Sequence, residues 1–368
     1  MTSPARTTTT GLWLVSPFYD LTFIILSAAL AVTPHVARAL TDSTVFVDLA
    51  VTMLIGGPHL FATYTMTVME PDFRARYPRY ARGALLLPLL IVSLAIVNLT
   101  ALVTVFFLWA SVHVIHQAAF VADAYRMKDP RGWTWTARVI DTGLLFTSMY
   151  PIATRKLIHA DFHTGGRTLL LPGFLRVDFL PPLVWVAFLA FLLAFLGKTA
   201  WEIRHGRLHG PKTLHMVIAT ALFAWTPTLG NLDVAFNGLN VWHSFQYLAI
   251  VLYLNRLRGE RGFIGSSLVR TVSRRGVRLY ALCLAFTLGA GLTFLTILTL
   301  VVRLGAFATG APMHNFLLGT IYSEQHYFAF YAVILSFLLI HYYFDHFLFL
   351  HADTKITPQF EPLLAAAA

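Results

Sequence analysis

The sequence predicts an all-α fold, a polytopic bundle of transmembrane helices, from three observations. Hydrophobic residues make up 57% of the 368 residues and charged residues only 12%, whereas about a quarter of the residues in ordinary soluble domains are charged. Apolar runs of about 20 residues, the length that crosses a bilayer, recur along the chain. Lys and Arg gather in alternate connections between these runs, as the positive-inside rule requires. We therefore expect one integral-membrane domain over residues 1–368, in a bacterial inner membrane.

Ten segments have the apolarity and length of a spanning helix. Their expected bounds are 20–37, 45–69, 83–99, 101–125, 133–153, 179–202, 213–229, 238–255, 277–302 and 324–350. The third and fourth are separated only by Asn98-Leu99-Thr100. Because one membrane helix over 83–125 would be improbably long, we expect a tight hairpin at this point.

The distribution of basic residues sets the predicted orientation. With ten helices and the N-terminus inside, 21 of the 27 lysines and arginines fall on the inner side. Both termini are therefore predicted to be cytoplasmic. The same asymmetry explains the net charge of +10, so no nucleic-acid partner is predicted.

Histidine must carry any metal chemistry in this chain. The single cysteine, Cys283, lies inside an apolar run, so neither a disulfide framework nor a thiolate site is available. Fifteen histidines remain, and two of them lie in the apolar stretch 106–125, FFLWASVHVIHQAAFVADAY. His113, His116 and Gln117 stand there at i, i+3 and i+4, which places them on one helical face.

Three further histidines are expected at the same depth in the membrane. His59, His243 and His341 lie about 10–13 residues from the inner ends of their predicted helices, as His113 and His116 do. At 1.5 Å per residue this is roughly 15–20 Å, near the middle of a hydrocarbon core about 30 Å thick.

Each of these helices also carries polar residues one turn from its histidine, and these are typical of groups that orient a metal ligand. A lone intramembrane histidine more often makes a hydrogen bond between helices, but five at one depth favour a shared metal site. The predicted ligands are His59, His113, His116, His243, His341 and Asp345, and the predicted orienting residues are Thr63, Gln117, Gln246 and Tyr247.

The ligand types limit the choice of metal. Imidazole with one carboxylate suits iron, copper or zinc. Iron is favoured, because oxygen activation beside a lipid-soluble substrate explains both the depth and the aromatic surroundings. One or two ions are both open. The role of a second polar set toward the outer face, His314, Glu324 and His326, is open as well.

Two other kinds of function remain as alternatives. A transporter or channel for metal ions or protons would use the same histidines as a relay, with helices broken at Gly56-Gly57-Pro58 and Pro227. A haem protein would use two of the histidines as axial ligands.

Four motifs carry a resemblance to known proteins: PHLFATY at 58–64, HVIHQ at 113–117, WHSFQYL at 242–248 and HYYFDHFLF at 341–349. Together they resemble uncharacterised multipass bacterial membrane proteins in which histidine motifs recur in this order. In its use of histidines from several helices the chain is also broadly similar to the integral-membrane non-haem iron oxygenases, including carotene-cleaving dioxygenases, whose own motifs it does not match. It departs from membrane desaturases and alkane hydroxylases, whose HxxHH box is absent from the sequence.

This resemblance implies the class, a metal-dependent oxygenase or oxidase. The depth of the histidines and their aromatic surroundings predict a hydrophobic small molecule or lipid as the substrate. The sequence has no Rossmann fingerprint and no cysteine cluster. Reducing equivalents are therefore expected from an electron-donor protein or from quinol.

Overall fold

The computed structural model describes residues 9–132, 134–164, 167–169, 171–309 and 333–345. Helices dominate this part of the chain, which confirms the all-α prediction. The helices are α1 Pro17–Thr41, α2 Thr44–Tyr64, α3 Pro71–Arg76, α4 Pro78–Gly83, α5 Leu86–Met127, α6 Trp135–Ser148, α7 Tyr150–Ile158, α8 Leu180–Arg204, α9 Gly210–Trp225, α10 Leu232–Glu260, α11 Ser267–Val272, α12 Gly276–Thr309 and α13 Val333–Asp345. Short 3₁₀ turns occupy Thr9–Leu12, Gly173–Leu175 and Thr226–Thr228. The strands β1 His163–Thr164 and β2 Arg167–Thr168 pair in an antiparallel hairpin.

Five helical stretches are long and apolar enough to cross a membrane, which is consistent with a membrane protein. They are Pro17–Thr41, Thr44–Tyr64, Pro78–Met127, Leu180–Arg204 and Gly276–Thr296. The predicted segment 324–350 is described only over the shorter apolar helix α13, and His314, Glu324 and His326 lie outside the described residues.

The hairpin predicted near Asn98 is present within α5. Asn98 has extended backbone angles, φ −160° and ψ 91°, inside an otherwise helical stretch. Its side-chain oxygen accepts the Ala101 N–H at 2.9 Å, as an N-cap residue does for a new helix. The helix therefore ends and restarts at this residue.

Contacts with α13 show that the two halves of α5 run back along each other. Tyr80, just before α5, stacks on Tyr343 with ring centroids 4.1 Å apart, and His113 stacks on the neighbouring Tyr342 at 4.0 Å. A straight helix from Leu86 to His113 would be about 40 Å long. Two adjacent residues of α13 can meet both ends only because the chain reverses between them.

Helix α2 is irregular just before His59. Its residues Thr52–Gly56 form a π turn, and Pro58 follows two residues later. Proline has no N–H and its ring crowds the carbonyl four residues earlier, here that of Leu54. The Tyr280 hydroxyl donates to this carbonyl at 2.6 Å, so the freed acceptor is satisfied from α12.

Helix α1 is also irregular, since it passes from a π turn at Asp20–Ile25 through a 3₁₀ segment at Leu26–Val32 into an α-helix.

Helix α10 lies at the centre of the described structure, in contact with α1, α2, α5 and α12. Because α10 is surrounded, its side chains can meet groups from several helices at one point.

Candidate metal centre

Four histidines from four helices meet at one point in the interior. They are His59 on α2, His113 on the second half of α5, His243 on α10 and His341 on α13, and each is at most 4% exposed. One nitrogen from each lies within 4.8 Å of the nitrogens from the other three. This group could therefore bind a metal ion.

The rings pack edge to face around the centre. The His59 ring centroid lies 4.7 Å from that of His243 and 4.4 Å from that of His341. The His113 centroid lies 4.9 Å from His243 and 5.2 Å from His341. Nitrogens bound to a metal at about 2.0–2.1 Å in a tetrahedron lie about 3.4 Å apart. The four side chains need only a small inward shift to reach that spacing.

Hydrogen bonds fix the tautomer of His341. Its Nδ1 lies 2.7 Å from Thr63 Oγ1, and Thr63 donates its only hydroxyl proton to Asp345 Oδ1 at 2.8 Å. When Asp345 is ionised, Nδ1 of His341 must therefore carry a proton and donate it to Thr63. The neutral ring then has its lone pair on Nε2, the form that binds metals.

An independent pair of residues fixes His59 in the same way. Ser244 donates its hydroxyl proton to Asn240 Oδ1 at 3.0 Å, and its oxygen lies 3.0 Å from His59 Nδ1. His59 Nδ1 is therefore the donor in this contact, and its Nε2 lone pair is left for the centre. Neither Ser244 nor Asn240 was among the predicted orienting residues, although their i, i+4 spacing on α10 was visible in the sequence.

The remaining polar atoms at the centre suit a cation. Within the described structure, His59 Nε2 and both ring nitrogens of His243 have no hydrogen-bond partner. Buried polar atoms without partners cost about 1–3 kcal/mol each. A metal ion would use the lone pair of His59 Nε2 and the one lone pair of the neutral His243 ring, so these donors fit a metal ion.

Asp345 lies beside the histidines and adds a carboxyl group to the set of possible ligands. Its Oδ2 is 3.4 Å from His341 Nε2 and 3.7 Å from His113 Nε2, and the side chain is fully buried. Its Oδ1 accepts hydrogen bonds from Thr63 and from the Tyr247 hydroxyl, the latter at 2.7 Å. Asp345 can therefore act as a fifth ligand through Oδ2 while Oδ1 stays hydrogen-bonded.

The orienting contacts run mainly between helices, whereas the sequence pointed to partners one turn away on the same helix. Thr63 bonds His341 and not His59, and Tyr247 bonds Asp345 and Thr63. The reason is that rings aimed at a common centre approach side chains of the facing helices. The pairing of His341 with Asp345 does join residues of one helix, as the sequence predicted.

Gln117 and Gln246 brace the backbone around His243. Gln117 Nε2 donates to the His243 carbonyl at 3.0 Å and to Gln246 Oε1 at 2.9 Å, and Gln246 Nε2 donates to the Ile24 carbonyl at 2.6 Å. These bonds join α5, α10 and α1. The two amides hold the helices that carry the ligands through the backbone and through each other.

His116 lies apart from the four-histidine group, contrary to the predicted ligand set. Its ring packs edge-on against Phe146 of α6 with centroids 5.3 Å apart, and the side chain is only half-buried. Three residues along a helix turn a side chain by about 300°, so His116 is rotated about 60° from His113. That rotation directs it toward α6.

Two apolar cavities lie on the α10 side of the centre. The larger, of about 190 Å³, is lined by Gly57, Leu60 and Asn240, so it reaches both the residues around His59 and the acceptor for Ser244. A second cavity of about 80 Å³ lies beyond Phe107 and Phe236, which line both. The centroids of these two rings are 5.0 Å apart, so they form the wall between the cavities.

No family model, curated protein or solved structure matches the chain.

Proposed function

We propose that this protein is an integral-membrane, metal-dependent oxidoreductase, an oxygenase or oxidase that uses non-haem iron on a hydrophobic or lipid-like substrate. The observation that carries the proposal is the convergence of four buried imidazoles, two of them with Nε2 lone pairs fixed by separate hydrogen-bonded chains. Fixing the tautomer of a ligand in this way is typical of a metal site.

The donor set supports a redox metal. Imidazoles with one carboxylate and no thiolate suit iron, and they also suit copper or zinc. Iron held at His59, His113, His243 and His341, with Asp345 beside it, would supply oxygen activation and electron transfer. The 4.8 Å spread of the four nitrogens supports one ion over two. The chain's own residues keep the ligand nitrogens unprotonated and exclude bulk water.

The surroundings support a hydrophobic substrate. The larger cavity is lined mainly by aliphatic and aromatic side chains, including Phe61, Phe106 and Phe337. Asp48, Asn237 and Asn240 are among its polar lining residues, and Asn237 donates to Asp48 at 2.6 Å. A lipid-soluble molecule would find mainly apolar contacts in this cavity, with hydrogen-bonding groups beside them. Electrons would come from quinol or from a partner protein.

The packing of the rings favours a small ion over haem. Ring centroids 4.4–5.2 Å apart, from four different helices, surround a single point. A porphyrin would have to separate these rings.

A transporter would use the same histidines, and the π turn of α2 before His59 is the feature that favours it.

We also infer a ten-helix arrangement with both termini in the cytoplasm of a bacterial inner membrane. The reversal at Asn98 supports it, because the stretch Pro78–Met127 then supplies two crossings. Single cysteines would test the orientation in a Cys283→Ser background. An impermeant thiol reagent added outside should label Asp161→Cys and leave Arg207→Cys unlabelled, and the reverse pattern would overturn it.

Metal analysis and an optical spectrum of the detergent-purified protein test the function. We expect about one iron per chain, no Soret band, and oxygen uptake when a lipid extract is added. His243→Ala should lose the metal, whereas His116→Ala should keep it and serves as the matched control. A wild-type protein without stoichiometric transition metal would exclude the oxidoreductase and leave ion flux in proteoliposomes as the next assay.

A further inference from the structure

A second buried polar cluster, separate from the four-histidine group, lies between α5, α6, α8 and α9. Asp141 on α6 accepts from three cations: Arg126 Nη2 at 3.0 Å, Lys212 Nζ at 3.1 Å, and Lys198 in a shorter contact. Asp141 is fully buried and Arg126 and Lys212 nearly so. Three cations around one carboxylate in the interior need further negative charge.

The neighbouring carboxylates supply only part of this charge. Asp123 contacts Arg126 and pairs with Arg138 at 3.0 Å, while Glu202 lies 3.8 Å from Lys198. The cluster then consists of four cations, Arg126, Arg138, Lys198 and Lys212, and three carboxylates, Asp123, Asp141 and Glu202. It has an excess of one positive charge.

This cluster borders a cavity of about 250 Å³. Arg126, Lys198, Lys212 and the exposed Arg207 line the cavity, with the guanidinium of Arg207 5.9 Å from the Trp201 ring centroid. Asp129 also lines the cavity, but its charge is neutralised by a bidentate salt bridge with Arg131, whose Nε and Nη2 donate to Oδ1 and Oδ2 at 2.7 and 2.8 Å. Arg207 therefore raises the positive excess around the cavity to two.

His209 adds a hydrogen-bond donor to the same wall. Its Nδ1 accepts the Lys212 backbone N–H at 3.2 Å, which caps the start of α9, so the proton of the neutral ring is on Nε2. The side chain is 2% exposed and lines the cavity. Within the described residues Nε2 has no hydrogen-bond partner. A buried N–H without an acceptor, beside excess positive charge, indicates that an anion is the missing partner.

We propose that this cavity binds a phosphate-type anion, held by Lys198, Lys212 and Arg207 and by the Nε2–H of His209. The N-terminal end of α9, a helix of 16 residues, lies at the same place, and the positive end of its dipole adds to the attraction. Inorganic phosphate and the phosphodiester of a lipid headgroup present the same oxygens. The basic residues lie in and on either side of the connection between α8 and α9, which the sequence assigns to the cytoplasmic side, where either source is available.

Thermal unfolding of the purified full-length protein tests the site. Millimolar inorganic phosphate is compared with potassium chloride at equal ionic strength in neutral detergent, and nanodiscs containing phosphatidylglycerol are compared with phosphatidylcholine nanodiscs. We expect one of the two phosphate sources to raise Tm by roughly 2–4 °C. A response to phosphate identifies the free anion, and a response only to phosphatidylglycerol identifies a lipid headgroup.

Three variants and one control complete the test. His209→Ser keeps an oxygen that can cap α9 but removes the ring N–H, and Lys212→Gln removes a cation; both should lose most of the Tm shift. Arg207→Gln changes an exposed residue, so it should fold even if the buried variants do not, and its shift should fall at least by half. Arg256→Gln, an exposed cation on α10 outside the cavity, should respond like wild type. Equal shifts in all variants, or no shift with either source, would overturn the proposal.

Discussion

Thr63 Oγ1 lies 2.7 Å from Nδ1 of His341, although the two residues are 278 positions apart in the sequence. The same hydroxyl group donates a hydrogen bond to Asp345, so Thr63 joins α2 to the imidazole and to the carboxylate of α13. One hydroxyl group thereby determines which nitrogen of His341 faces the centre.

Thr63→Val should weaken metal binding while preserving the shape of the side chain. Val cannot accept the proton of His341 Nδ1, so the ring loses the contact that fixes its tautomer. Loss of such a contact typically lowers metal affinity about 10–100-fold. Competition with a chelator of known affinity measures the change, and Thr63→Ser, which keeps the hydroxyl, should bind like wild type. Equal affinities in all three proteins would show that Thr63 does not orient a ligand.

Ser244→Ala should have a similar effect through His59. The substitution leaves His59 Nδ1–H without its acceptor 3.0 Å away. We expect an affinity loss of about tenfold or more in the same competition assay. Ser148→Ala is a matched control, because that serine is also buried but donates to the Leu145 carbonyl of its own helix and does not contact the four histidines in the described structure. If both variants lose affinity alike, the effect is not specific to the centre.

Removal of the metal should lower thermal stability. His59 and His243 keep buried nitrogens that have no protein hydrogen-bond partner within the described structure. An ion present at a hundred times its Kd would stabilise the folded state by about 2.7 kcal/mol. Scanning calorimetry should show a lower Tm after treatment with a chelator, whereas His243→Ala should show no further decrease. An unchanged wild-type Tm would contradict the proposed centre.

Acidification should destabilise the protein partly through His209. Burial lowers the pKa of His209 from 6.5 to about 4. Between these two values the unfolded chain binds more protons than the folded chain, so stability falls as pH drops from about 6.5 toward 4. The full contribution is up to about 3 kcal/mol. The difference in Tm between wild type and His209→Ser should therefore change between pH 7.5 and pH 5, and parallel pH profiles would refute this role.

Asn98→Ala should destabilise the reversal within α5. The substitution removes the acceptor for the Ala101 N–H, and loss of such a cap costs about 1 kcal/mol. A decrease of roughly 2–4 °C in Tm is expected. Asn98→Asp retains a side-chain oxygen at this position and should unfold near the wild-type temperature. If alanine and aspartate behave alike, the cap does not contribute.

The sequence was most informative about how deep in the membrane each histidine lies. Counting residues from the predicted helix ends placed His59, His113, His243 and His341 at one level, and the structure brings these four together. The reversal near Asn98 was predicted as well, because the length of an apolar run is limited by the bilayer. Both predictions rest on distances along a helix, which the sequence gives directly.

The direction of each side chain around its helix axis and the contacts between helices were harder to predict. His116 shares the depth of His113 but is turned toward Phe146. The partners of His59 and His341 come from α10 and α2, and which helix faces which depends on packing that one sequence does not reveal. The irregular turns of α1 and α2 also had no clear periodic signal, because they change the number of residues per turn locally.

The direction in which the His59 side chain points depends on the number of residues in the π turn at Thr52–Gly56. A π turn takes in one residue more than an α turn, so all that follows is displaced by about 100° from the course of an uninterrupted helix. Deleting one residue from 52–56 would restore the regular pitch and swing the His59 imidazole out of the cluster, with no ligand substituted. A shortened chain of this kind should fold yet bind metal poorly, as measured by metal content, whereas a substitution such as Met53→Leu should leave binding intact.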